Sequence, residues 1–268
     1  MKNTNLLTAG LCLASVFAFS SCSKESDAVS KTDEISASEL SQIKQLGFST
    51  QAAAKVDGGY LVEGDIFLTA KDLGSAGPVR LMRVGADEQY RTTNVVSVGA
   101  GRTVSIAVAS TLPAAYVTAT DEVVRRFNAE NLLIKFVRVT SGAEITLAGA
   151  PKNAQYLASA GFPTGGNPFN SVKINSRAIG TANPTTYIAT ILAHEVGHCI
   201  GFRHTDYMDR SYSCGGSTAN EGASTVGAVL IPGTPSVADP NSWMLACIGS
   251  GADRPFNAND ITALSFVY

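Results

Sequence analysis

The stretch "HEVGHCIGFRH", residues 194–204, holds all three histidines of this 268-residue chain. His194 and His198 stand four apart, so on a helix they project from one face about one turn apart. Two imidazoles placed that way can hold one Zn²⁺ through neutral ring nitrogens. Glu195 is rotated roughly 100° from His194, beside the metal position, where a general base for a metal-activated water belongs. Gly201 tolerates positive φ and can end the helix, letting His204 swing back as a third ligand. Three protein ligands leave one tetrahedral position open, which marks a catalytic zinc site rather than a structural one. Five fixed positions arise by chance in a random chain of this size roughly once in ten thousand.

HExxHxxGxxH resembles the zinc signature of the metzincin metallopeptidases. With "IPGTP", "DPNSWMLAC" and "FNANDITALSFVY" it is similar to one narrower group, the bacterial dual-action HEIGH metallopeptidases. Val196 stands where that name has isoleucine. The resemblance implies an α+β catalytic domain: a twisted, mostly parallel sheet with an active-site helix, then a loop-rich lower subdomain with a C-terminal helix. It also implies a methionine below the metal. Met208 is too close to His204 for that place, and Met244 fits it. Astacin-like metzincins carry a tyrosine two residues after that methionine; here the position is Ala246, so no tyrosine donor is expected there. Asp206, just past His204, is either an anchor for the turn or a surface aspartate.

The amino terminus reads as an export signal. A basic start, an apolar run of about fourteen residues and small residues precede Cys22, and the run is too short to span a bilayer. "FSSC" resembles a lipobox, which implies a signal peptide at 1–21 and lipidation of Cys22, although Phe19 replaces the usual leucine. Residues 22–35 are polar and suit a flexible tether. The expected location is the outer membrane or cell surface, or the exterior as a secreted protein. A net charge of −2 with no basic run argues against nucleic acid as a partner. The remaining partners are protein or peptide substrates and, through the anchor, a membrane; a monomer is expected. Setting aside Cys12 in the signal and Cys22, three cysteines remain, enough for one bridge and one spare. Cys214 and Cys247, in the loop-rich stretch, are the favoured pair; Cys199 inside the zinc helix reads equally well as a buried thiol.

Residues 36–48 read as a short amphipathic helix with Leu40, Ile43 and Leu46 at helical spacing and Gly47 at its end. "GYLVEGDIFLTAKDL" is strand-like with a turn at Gly64, and a polar stretch, 83–102, follows. From 103 come a strand, then a helix opened by Pro113 with Tyr116, Val117, Val123, Val124 and Phe127 on its apolar face. Further strands in "LLIKFVRVT", "AEITLAGA" and "NSVKINSR" follow. The long zinc helix has Asn183 as expected N-cap and Pro184 as first residue. The last helix carries Asp260 near its start and Ile261, Leu264 and Val267 on one side.

These readings point to a zinc endopeptidase in which Glu195 takes a proton from water and delivers one to the leaving amine. The competing class is a non-catalytic surface-binding lipoprotein that keeps the fold; it has no use for Glu195. The domain plan places a prosegment at 36–95 and the peptidase domain at 96–268. Within the prosegment, "EGDI" resembles the F-x-G-D stretch of astacin propeptides, whose aspartate binds the catalytic zinc, with Val62 in place of the phenylalanine. Asp65 is therefore a candidate latency switch; a solvated hairpin turn is the plainer alternative.

Overall fold

Alternating apolar residues build the central sheet, and each strand turns one face inward. In this computed structural model residues 34–74, 89–216, 228–235 and 238–268 are described. The signal peptide, Cys22 and residues 83–88 of the polar stretch lie outside them. Among the described residues no helix is long and apolar enough to cross a membrane.

The chain opens with α1 (Ala37–Gln45), whose N-terminus is closed by a reciprocal capping box between Ser36 and Glu39. Gly47, at φ 84°, ends it. A small antiparallel sheet follows: β1 (Ala54–Val56), β2 (Gly59–Val62) and β3 (Ile66–Thr69), then the short α2 (Ala70–Gly74). Ile43, Leu46, Phe48, Tyr60, Val62, Ile66, Leu68 and Leu73 form a hydrophobic cluster of their own. The Tyr60 hydroxyl donates to Glu39 Oε1 at 2.5 Å, joining helix to hairpin.

The polar stretch was expected to lack regular structure, yet β4 (Tyr90–Arg91) lies within it and pairs with β10 (Val229–Leu230) far along the chain. Such a two-residue strand has no periodicity to read; only its distant partner defines it. Next come β5 (Arg102–Val108), α3 (Ala114–Ala129), β6 (Ile134–Val139), β7 (Ile145–Gly149), β8 (Ala158–Ser159) and β9 (Ser171–Ile174). Their sheet has the order β6-β5-β7-β9-β8, parallel throughout except for the β8–β9 pair. Strand β8, in the Gly- and Pro-rich stretch before β9, forms that antiparallel edge.

The short α4 (Ser176–Ile179) precedes α5 (Thr185–Ile200), which is buried at every position from Tyr187 onward. A helix apolar all round belongs inside a core. It starts one residue later than expected: Pro184 occupies the N-cap, and Asn183 instead donates its side-chain amide to Ile179 O at 2.7 Å. On α3, Tyr116, Val123 and Phe127 are buried, whereas Val117 and Val124 are half-buried. Phe127 packs edge-on against Trp243 and Phe256, with ring centroids 5.6 and 4.8 Å away. Arg126 on the same face is buried by its donors to Glu122, Thr190 and Asp253.

Between α6 (Ser211–Cys214) and α7 (Ala258–Val267) β10 is the one strand among the described residues, and a disulfide joins Cys214 to Cys247. Cys199 is a buried free thiol. Helix α7 buries Asp260, Ala263 and Leu264, leaving Ile261 and Val267 half-buried. Asp260 completes a capping box with Asn257 and also accepts hydrogen bonds from Gln89 Nε2 (2.6 Å), Ser242 Oγ (2.9 Å) and Trp243 N (3.3 Å). One carboxylate thus ties three distant segments together. Asp260→Ala removes a cap and strands several buried donors, so a loss of about 2–4 kcal/mol is expected. Asp260→Asn keeps an acceptor and should lose less; equal urea-unfolding losses for the two variants would contradict this role.

Candidate metal centre

Helix α5 carries His194 and His198 on one face, and Gly201 at φ 114° ends it in the left-handed region. The chain then doubles back to bring His204 against the same face. Two backbone carbonyls fix the rings: Trp243 O lies 2.9 Å from His194 Nδ1, and Phe202 O lies 2.8 Å from His198 Nδ1. A carbonyl only accepts, so each Nδ1 carries the proton and each Nε2 keeps its lone pair. His198 Nε2 and His204 Nε2 are 3.2 Å apart. The loop between β2 and β3 places Asp65 Oδ2 3.1 Å from His204 Nε2 and 3.4 Å from His194 Nε2. Ligand atoms of Asp65, His194, His198 and His204 all lie within 4.8 Å of one another.

Asp65 Oδ1, His194 Nε2 and Glu195 Oε2 are buried without hydrogen bonds. Orphaned buried polar atoms are rare and call for an explanation such as an ion. Neutral imidazoles and one carboxylate, all within reach of a common point, suit one zinc ion. Burial resists ionisation of Asp65, but the surrounding histidines outweigh it and hold the carboxyl far below its usual range. Burial also pulls on His204, yet Asp65 and Glu63 push it up to about 10. For Glu195 burial dominates, Asp65 adds to it, and the pKa is raised well above its ordinary value.

Beneath the histidines Met244 is fully buried, and Gly197 explains how it approaches. A Cβ at Gly197 would lie 2.7 Å from Met244 Sδ and 2.6 Å from Trp243 Cη2. Asp206 is buried rather than on the surface. It accepts from Ala246 N at 3.0 Å and from the Ser213 hydroxyl, which in turn accepts from Cys247 N. Thr205 N also donates to Met244 O, so the segment after His204 is laced to the Met244 turn. Ala246 contributes only its backbone here.

The motif's spacing gave no hint of the pair formed by Glu63 and Arg203. Both side chains are fully buried, with Arg203 Nη2 3.1 Å from Glu63 Oε1. The guanidinium also sits over the Phe48 ring at 4.5 Å and faces Tyr207 at 5.2 Å. Glu63 adopts φ 55° and Gly64 φ 92°, a tight loop that costs strain at the non-glycine residue. The ion pair holds that loop down, and two bonds fix its strand: Phe67 N to Ala160 O (2.7 Å) and Ala160 N to Asp65 O (3.0 Å). An arginine inside the zinc motif, next to a ligand position, is the one local signal of this pair.

A buried cluster of side chains able to hold a metal, two of them on one helix and with Glu195 beside them, defines a metal-dependent peptidase once the family is known. Residues 61–268 match the model of the dual-action HEIGH metallopeptidase family, and the chain belongs to that family. Its three histidines and aspartate fit one zinc ion. Similar solved structures include myroilysin, at 13% identity and TM-score 0.41 over 66% of this chain and 86% of that one. Another is high choriolytic enzyme 1, a hatching enzyme zinc-protease from Oryzias latipes (medaka fish). It is 15% identical, with TM-score 0.33 over 70% of this chain and 98% of its own. No curated protein matches.

Replacing a helical glycine by alanine ordinarily stabilises by about 0.5–1 kcal/mol. At Gly197 the sign should reverse, because the new methyl collides with Trp243 and Met244; Gly197→Ala is expected to cost about 1–3 kcal/mol. A urea midpoint at or above that of the wild type would show that the helix and the Met244 turn are not packed this closely.

Proposed function

We propose that the chain is an exported zinc endopeptidase kept latent by its own amino-terminal hairpin. The carrying observation is the convergence of three histidine Nε2 positions beside the buried, unpaired Glu195 Oε2. His194, His198 and His204 hold the ion, with Met244 as an apolar floor that does not ligate. Zn²⁺, when bound, supplies Lewis acidity that polarises the scissile carbonyl and acidifies the attacking water. Glu195 accepts the proton from that water and passes one to the leaving amine. A pure binding module has no use for an unpaired carboxylate buried there, which disfavours the non-catalytic reading.

Asp65 acts as the latency switch. Its carboxylate lies where a substrate carbonyl and the attacking water must go, and Glu63–Arg203 and the Ala160 backbone clamp its loop in place. In this reading the prosegment spans 36–95 and the peptidase domain 96–268; the helix and hairpin of the prosegment are supported by a hydrophobic cluster of their own, against which Phe162 also packs. Cleavage within 83–102 releases it. Cys22 carries the lipid that anchors the protein after removal of residues 1–21, a reading that rests on the sequence.

Three measurements bear on these assignments. After cleavage in 83–102, Glu195→Gln should still bind one zinc but lose at least about a hundredfold in peptide hydrolysis; near-wild-type turnover would exclude Glu195 as the base. Intact Asp65→Ala should hydrolyse peptide before any proteolysis while the intact wild type does not, and equal activity of the two would reduce Asp65 to a turn residue. Detergent-phase partition should be lost in Cys22→Ala, and equal partition would refute lipidation there.

A further inference from the structure

A cavity of about 280 Å³ opens beside the metal centre. Its walls include Leu157, Ile191, Trp243 and Ile248, and its charged lining away from the metal is two guanidiniums, Arg210 and Arg254. Arg254 is fixed at both ends. Its backbone N donates to Thr190 Oγ1 at 3.0 Å, one turn before His194 on α5, and its Nη1 donates to Cys247 O at 2.8 Å.

Arg254 forms no ion pair among the described residues. The acids around it are committed elsewhere. Asp253 takes Arg126 and Thr190, Asp206 takes Ala246 N and Ser213, and Asp260 takes Gln89, Ser242 and Trp243 N. At the metal end Glu63 is held by Arg203, and Asp65 by the histidines. Burial lowers the Arg254 pKa, with only partial relief from Asp206 and Asp260. A guanidinium half-withdrawn from water, with donors to spare and apolar walls around it, is a site for a carboxylate: a charge-assisted pair recovers the lost hydration.

The side of the scissile bond follows from the proposed peptidase chemistry, on which this inference rests. Glu195 and His194 line the cavity, whereas His198 and His204 do not. Glu195 delivers the proton to the leaving amine, so the amine-side residue lies on the cavity's side. We propose that the cavity receives the side chain immediately after the scissile bond and selects Asp or Glu there, with Arg254 as the carboxylate's partner. The apolar walls take up the methylenes of that side chain. Arg254 is thus a specificity-determining residue, outside the proton-transfer chemistry.

The test uses the zinc-loaded full chain, activated by cleavage in 83–102, and three quenched peptides identical except for Glu, Leu or Lys after the scissile bond. Mass spectrometry of the products fixes the cut. The kcat/KM for the Glu peptide should exceed those for the Leu and Lys peptides by roughly tenfold or more. Arg254→Gln retains a donor for Cys247 O but no charge, and should lower the Glu-to-Leu ratio by a similar factor. Arg254→Lys should keep much of that ratio. Cleavage without acidic preference, or a preference that survives Arg254→Gln, overturns the inference and leaves the peptidase reading standing. Failure to cleave any of the three peptides overturns the peptidase reading and this inference with it.

Discussion

Three imidazoles buried around one point are a costly arrangement unless each ring is held and each inward nitrogen has a partner. Much of the molecule serves that requirement. Helix α5 supplies His194 and His198 and is buried along nearly its whole length. The left-handed Gly201 returns His204 to the same point. Carbonyls from Trp243 and Phe202 orient two of the rings, and the first of these belongs to the Met244 turn. That turn is pinned from three directions: by Asp206 after the last histidine, by Asp260 from the final helix, and by the Cys214–Cys247 disulfide. The bareness of Gly197 lets it seat directly under the helix.

The amino-terminal hairpin is the counterpart of this cluster. It has its own small hydrophobic core and reaches the site through one tight loop. Glu63 and Asp65 use that loop differently. Asp65 meets the histidines, while Glu63 turns to the buried Arg203 behind them. Removing one partner of a fully buried ion pair leaves a stranded charge, so the pair resists piecemeal loosening of the loop. In the proposed latent state this makes release of the hairpin a concerted event, which suits activation by a cut elsewhere in the chain rather than by fluctuation of the loop.

Local pattern made the helices, the main strands and the histidine motif legible, because spacing along a helix or strand decides which residues share a face. The helix stop at Gly201 and the place of Asp260 at the start of the last helix follow from residue type in the same way. What the sequence concealed is long-range. Strand β4 exists only through β10, and β8 only through its place beside β9. Arg126 and Arg203 look like surface cations until their partners, distant in sequence, are in view. Asn183 and Pro184 differ from the expected cap by one position, since Asn183's amide is drawn to Ile179 O. Arg254 lies in a polar run with no local motif, and only the cavity gives it meaning.

The arrangement turns on whether Asp65 and the three histidines share one ion. A crystal structure of the full-length, zinc-loaded protein, with anomalous data at the zinc edge, addresses this directly. The expected result is one zinc ion about 2.0–2.2 Å from Nε2 of His194, His198 and His204 and from an Asp65 carboxylate oxygen. Zinc held by the histidines with solvent in place of Asp65, or zinc bound elsewhere, would contradict a site closed by its own hairpin.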